Sequence, residues 1–183
     1  MAQVSPEELI RTLGLLPSPE GGYLIESNRQ SINITTPFSA GVPEISASRS
    51  LSTSIYYLLT KDSPSGTLHK NNFVAYHILH QGRAEFILIT TSPQGPKIEK
   101  KILGFDTNSG ERRMIVVEPG VWKLIRLLPD SLEAGCLLTE VVVPGFAPED
   151  HDCITADGLR ALFEGAKDAE ERIVELERYV KSL

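Results

Sequence analysis

Cysteine is scarce in this 183-residue chain, with two residues in all, Cys136 and Cys153. They make neither a CxxC pair nor a disulfide framework, so both are read as reduced and structural. Long apolar runs are absent too: none approaches the roughly 18–20 residues that a membrane-crossing helix needs. Basic residues are outnumbered, with 18 Lys and Arg against 24 Asp and Glu, for a net charge of -6. Phosphate backbones and anionic membranes bind clustered Lys and Arg, and no basic stripe exists here, so neither nucleic acid nor membrane is expected as a partner. The first residues, MAQVSPEELIRTLG, lack the basic stretch and apolar segment of a secretory signal. A cytoplasmic location is therefore expected, and the Asn33 glycosylation sequon in NIT is read as a chance match. No repeat or low-complexity segment is visible. What remains is an ordinary composition, 41% hydrophobic and 23% charged, which argues against disorder.

That length fits one domain spanning residues 1–183, large enough to bury a core without staples. Its ends read as helical and its middle does not. In SPEELIRTLGLL, Ser5 stands as N-cap, Pro6 at the first helical position and Glu8 three residues after the cap, which is a capping box. PSPEGG then breaks the helix. Across a β core of about residues 21–152, short apolar runs alternate with turn clusters: YLIES, STSIYYLLT, AYHILHQG, AEFILITT, KIEKKILG, RRMIVVEPG, WKLIRLLPD and CLLTEVVVPG. Turn signals at about ten-residue spacing predict an all-β sandwich or barrel rather than a parallel α/β sheet. From about 156 to 182 the apolar residues Leu159, Leu162, Phe163, Ala166, Ala169, Ile173, Leu176 and Val180 return to helical spacing. This predicts a C-terminal helix packed on the outside of the β core, with a dimer-contact helix as the sharper alternative. The polar stretch 31–50 reads as a linker, with a lid as the other possibility.

Taken in order, LLPSPEGGYLIES, STSIYYLLT, SGTLHK, HILHQGRAEFILI, VVEPGVWKLIRLL and LTEVVVPGF resemble the cupin_5 (DUF985) group of RmlC-like cupins, its fungal members above all. The resemblance covers roughly residues 13–152. It implies a double-stranded β-helix, or jelly roll, with a pocket between two sheets, a homodimer, and no particular reaction.

Three of the four histidines crowd into TLHKNNFVAYHILHQG, which raises the question of metal. Many cupins hold one with two His and a Glu from a first motif and a His from a second. The resemblance places the glycine closing the first motif at Gly82, which puts Ala75 where the Glu ligand would stand. His69 fits one His position. With the second motif's glycine at Gly120, Lys123 falls at or near the last His position, and an ammonium repels a cation. No metal and no cofactor are expected, although an atypical set of His69 and His77 with Glu140 or Glu26 stays open. Strand alternation turns His77 to the same face as Ala75 and His80 to the other. His80 is read as a partly buried structural residue, and His151, in the acidic PEDHD, as solvated.

The expected catalytic groups are then His69, Lys123 and His77. By position His69 resembles the base of the metal-free RmlC-type sugar epimerases, which implies a neutral imidazole that moves a proton next to a carbonyl while Lys123 stabilises the enolate and burial brings the lysine towards proton transfer. A true sugar-nucleotide epimerase is not expected, since the catalytic lysine of those enzymes aligns near Ala75. The pocket's binding residues are expected to be Tyr23 and Glu26, set by the EGG turn, with Tyr57, Trp122, Arg126 and Glu140. For Tyr23 a plain packing role competes, and for Trp122 a core position. The function these residues support is a small-molecule-binding cupin acting as a metal-independent isomerase, epimerase or cyclase. The alternatives are a non-catalytic binder of a small ligand and a metal-dependent oxygenase.

Overall fold

A computed structural model describes residues 3–36 and 47–180. The chain enters through α1 (Pro6–Leu13), where the Ser5 hydroxyl accepts from the Glu8 amide at 3.2 Å and Gly14 closes the helix in the left-handed region. These are the cap and stop that the sequence spells out. Thirteen strands follow among the described residues: β1 (Leu16–Pro17), β2 (Tyr23–Arg29), β3 (Asn33–Thr36), β4 (Ala47–Ser50), β5 (Thr53–Leu59), β6 (His69–Asn71), β7 (Val74–Gln81), β8 (Ala84–Thr90), β9 (Lys97–Leu103), β10 (Met114–Val117), β11 (Trp122–Leu127), β12 (Cys136–Val143) and β13 (His151–Cys153). Two short helices close the chain, α2 (Ala156–Leu162) and α3 (Ala169–Leu176), and a 3-10 turn covers Glu177–Tyr179.

Every strand pair is antiparallel. One sheet has the order β1-β2-β5-β12-β7-β10 and the other β13-β6-β11-β8-β9, while β3 and β4 make a separate ribbon. The two large sheets pack face to face through Tyr57, Leu59, Leu79, Phe86, Leu88, Ile125, Leu127 and Leu138. Alternate residues of the same strands serve the outer faces. Leu58 and Leu137 meet Leu9 of α1, and Ile87, Ile89 and Leu124 meet Leu159, Phe163 and Leu176 of the terminal helices. β8 is thus apolar on both sides, which is why AEFILIT shows no polar alternation. Each fully buried side chain of this size contributes roughly 1.5–3 kcal/mol.

All eight sequence-predicted strands are present within the sheets. The jelly roll is met as a cupin-like arrangement of antiparallel sheets with flanking helices. No closed barrel is seen among the described residues. The C-terminal helix is corrected from one element to two, because Gly165 takes φ 76° between them, a conformation no helix contains. Residues 37–46 of the expected linker or lid lie outside the described residues, and the flanking residues pair as β3 and β4.

Candidate functional site

Between the two large sheets lies a cavity of about 320 Å3. Leu24, Ile55, Tyr57, Ile125, Val142 and Phe146 make it mostly apolar, while Glu20, Glu26, His69, Asn71, Glu140 and His151 supply its polar groups.

The EGG turn shapes one end. Gly21 has φ 91°, and a Cβ there would stand 2.2 Å from the Ser65 carbonyl oxygen, so the close approach to the segment before β6 requires glycine. The Tyr57 hydroxyl donates to the Gly21 carbonyl at 3.1 Å, and the Thr67 hydroxyl donates to the Glu20 carbonyl at 3.2 Å. Glu20 is thereby carried to the histidines. The His151 Nε2 lies 2.9 and 3.0 Å from its two carboxylate oxygens. The Cys153 Sγ lies 3.5 Å from the same Nε2, and on the far side of the ring His151 Nδ1 is 2.8 Å from the Asn71 Oδ1. Burial works to raise the Glu20 carboxyl, but His151, aided by His69, holds it below its ordinary value.

His69 opens β6. Its Nδ1 donates to the Thr67 carbonyl at 2.8 Å, which assigns the proton to Nδ1 and leaves a lone pair on Nε2. Its ring centroid is 4.6 Å from that of His151. Burial first, then the nearby charges of Lys123 and His151, push its pKa down to about 3, so the ring is neutral.

Lys123, His77 and Glu140 form a second, deeper group. The Lys123 ammonium donates to Glu140 Oε1 at 2.5 Å and to His77 Nε2 at 2.7 Å, and that nitrogen is 3.4 Å from the same carboxylate oxygen. Burial and then Lys123 lower the His77 pKa. Burial would raise Glu140, but Lys123 and His77 outweigh it and hold the carboxyl well below the usual range.

The structure therefore brings His69, Tyr57, Glu26 and Glu140 to the cavity and leaves other expected residues out. Lys123 and His77 sit behind the wall that Glu140 presents, and Lys123 is spent on its ion pair, which corrects its expected place beside a substrate. Tyr23 is corrected to the outer face, where it packs with Leu9 and Leu15 under α1. Trp122 and Arg126 are corrected likewise. Trp122 joins the core under the terminal helices with the Lys70 ammonium 4.5 Å from its ring. Arg126 pairs with Glu85 at 2.6 Å and the Tyr179 hydroxyl at 3.2 Å. Glu26 reaches the cavity with its carboxylate paired to Arg29 at 2.7 Å. His80 is exposed and bonded to the Thr139 hydroxyl at 2.6 Å. His151, expected in solvent, is instead mostly buried on β13.

Glu20, Asn71, His151 and Cys153 were missed. His151 and Cys153 stand two apart, which in a strand puts them on one face, and that spacing was available in the sequence. The usual cupin metal positions do not fit a metal here: Ala75 is buried among Phe73 and Val142, and Lys123 is an ammonium. Glu20, His151 and Cys153 are a different set, whose donor atoms all lie within 4.8 Å of one another.

Two antiparallel sheets packed face to face, with a small polar-ended cavity between them, define a cupin-like protein. Residues 7–154 match the family described as Cupin_5, Cupin superfamily (DUF985), and the chain belongs to that family. It is 39% identical over 171 residues to the uncharacterized protein YML079W of Saccharomyces cerevisiae, covering 91% of this chain and 84% of the yeast protein. Among solved structures, a hypothetical protein from Leishmania major superposes with TM-score 0.79 at 23% identity, covering 98% of this chain and all of the other. Protein SO0799 from Shewanella oneidensis gives 0.75 at 22%, covering 98% and 99%. These likenesses speak for the fold. No helix among the described residues is long and apolar enough to cross a membrane.

Proposed function

We propose that the chain is a small-ligand-binding cupin, working as one unit, whose cavity takes a compact and largely apolar organic molecule. The observation that carries this reading is the cavity itself, apolar on most sides and polar at one end, where Glu20, His69 and His151 meet. Pockets of a few hundred Å3 with a few convergent polar groups are the usual form of small-molecule sites. The polar end would orient the ligand's own polar group while Ile55, Tyr57, Ile125 and Phe146 enclose its apolar body. The dimer implied by the family resemblance is kept in this proposal, and light scattering would test it. A panel of small metabolites screened by thermal shift and native mass spectrometry tests the binding. At least one ligand is expected to bind wild type and to weaken in Ile125→Trp, which fills the cavity. A panel in which every ligand is indifferent to cavity filling would overturn the reading.

Turnover is the second reading, favoured by one observation: His69 donates through Nδ1 to Thr67 and keeps its Nε2 lone pair. Such an imidazole, in an apolar pocket, is suited to take a proton from a bound carbon acid. The isomerase version expected from the sequence relied on Lys123 as the electrophilic partner. Its ammonium is engaged by Glu140 and His77, so a cation at the cavity would have to come from elsewhere. Deuterium incorporation into a bound ligand, lost in His69→Gln with binding retained, would support turnover. A ligand that binds and never exchanges a proton returns the site to binding alone.

A further inference from the structure

The cluster at the polar end of the cavity has a composition that ligand binding alone does not use. Glu20 arrives from the turn between β1 and β2, and His151 and Cys153 come from one face of β13. We propose that Glu20, His151 and Cys153 form a transition-metal site of the zinc class on the cavity wall, with a further coordination position open to the cavity.

Three features support this. The first is spacing. For a tetrahedral ion with metal–nitrogen and metal–oxygen bonds of about 2.0 Å and a metal–sulfur bond of about 2.3 Å, ligand atoms stand roughly 3.3–3.6 Å apart. His151 Nε2 to Cys153 Sγ is 3.5 Å, and Nε2 to the Glu20 oxygens is 2.9 and 3.0 Å. The sulfur edge is already at the tetrahedral value, and the oxygen edges are short by a few tenths of an ångström, which a small rotation of the half-buried Glu20 carboxylate supplies. The second feature is orientation. His151 Nδ1 lies 2.8 Å from Asn71 Oδ1, the outer hydrogen bond by which metal-bound histidines are held in the tautomer that leaves Nε2 as donor. The third is access. Glu20 and His151 both line the cavity, so an ion held there has three protein donors and one open position, the arrangement of reactive rather than purely structural zinc sites.

Imidazole, carboxylate and thiolate together favour zinc and its neighbours over magnesium or calcium, which take oxygen alone. These three ligands differ from the residues that hold metal in other cupins, where this chain has Ala75 and Lys123; His69, which fits one of those positions, adjoins the set with its ring 4.6 Å from that of His151. Binding would release the thiol proton, so affinity should rise with pH. A Glu20–His151 ion pair, with the Cys153 thiol hydrogen-bonded to Glu20, accounts for the same contacts without metal and is the alternative to be tested.

The metal site goes beyond the proposed ligand binding, because metal is measured with no organic ligand present. Protein stripped with chelator and dialysed is titrated with Zn2+ and, separately, Co2+, with bound metal read by mass spectrometry. One equivalent per chain is expected, and Co2+ should give the intense near-ultraviolet band of a cobalt–thiolate bond. Cys153→Ser should lose that band. Asn71→Ala should keep it while weakening Zn2+ binding by about 10–100-fold, and Glu20→Gln should weaken binding further. Circular dichroism melts establish that each variant is folded. If Cys153→Ser fails to fold, Glu20→Gln, altered in a turn, keeps the proposal falsifiable: a Zn2+ affinity equal to that of wild type overturns it. Absence of saturable Zn2+ binding by wild type, or a Co2+ spectrum indifferent to Cys153→Ser, overturns the proposal in favour of the ion pair.

Discussion

Replacing Lys123 with Met would remove the charge at the centre of the buried group and keep most of the stem's volume. In the native protein the Lys123 ammonium is 2.5 Å from Glu140 and 2.7 Å from His77, all three side chains being shielded from water. With the cation gone, Glu140 keeps a carboxylate that burial disfavours and that no other ammonium among the described residues neutralises. Breaking a buried pair by removing one partner costs about 3–5 kcal/mol. For a chain of this size that corresponds to a fall of roughly 6–20 °C in melting temperature. The loss should depend on pH with a definite sign. In wild type the Glu140 carboxyl titrates well below its unfolded value, so its contribution is present above the unfolded pKa and fades as pH falls through the folded one. In Lys123→Met the folded pKa moves above the unfolded value, so the penalty grows as pH rises. At low pH a single proton, on Glu140 or on the facing His77 at 3.4 Å, restores neutrality. Urea titrations at pH 5 and pH 8 of wild type, Lys123→Met, Glu140→Gln and the double variant test this. The double variant should recover much of the loss. A Lys123→Met variant that loses under about 1 kcal/mol at pH 8, or loses the same at both pH values, would refute the argument.

Two further outcomes are expected. His77 is buried and held neutral, its folded pKa lying below the unfolded value of about 6.5, so the unfolded chain alone takes its proton just below that pH. Stability should therefore fall as pH drops below about 6.5, by up to about 1.4 kcal/mol per pH unit, and His77→Gln should flatten that segment of a stability-against-pH curve; an unchanged slope would show that another group is responsible. Gly21→Ala should destabilise by at least about 1–3 kcal/mol, the cost of a left-handed non-glycine residue, since its Cβ also meets the Ser65 oxygen at 2.2 Å, and thermal melting would measure the loss.

Strand content was legible because eight long apolar runs with turn residues between them leave few other choices. Facing was legible only in part. Alternation puts His77 and His80, three apart in β7, on opposite faces, yet the pocket set expected from the sequence includes both Lys123 and Arg126, three apart in β11. The same alternation forbids that, and the structure turns Lys123 inward and Arg126 out to Glu85. Tyr23 and Glu26 of β2 divide in the same way. β6 and β13 were hidden for another reason: each has three residues, too few to show a period, and each becomes a strand through its neighbour. The polar end of the cavity is built from those two strands and the EGG turn. Glu20 and His151, 131 residues apart in the chain, could be joined only by the fold.

The family match ends at residue 154, but the tail beyond it is stitched to the cavity. The Tyr179 carbonyl accepts from the Leu68 amide at 2.9 Å, and the Leu68 carbonyl accepts from the Ile154 amide at 3.0 Å. Leu68 precedes His69, so the terminal segment grips the backbone one residue from a cavity wall. A change in this segment can therefore reach His69 through the Leu68 amide without altering any residue that lines the cavity.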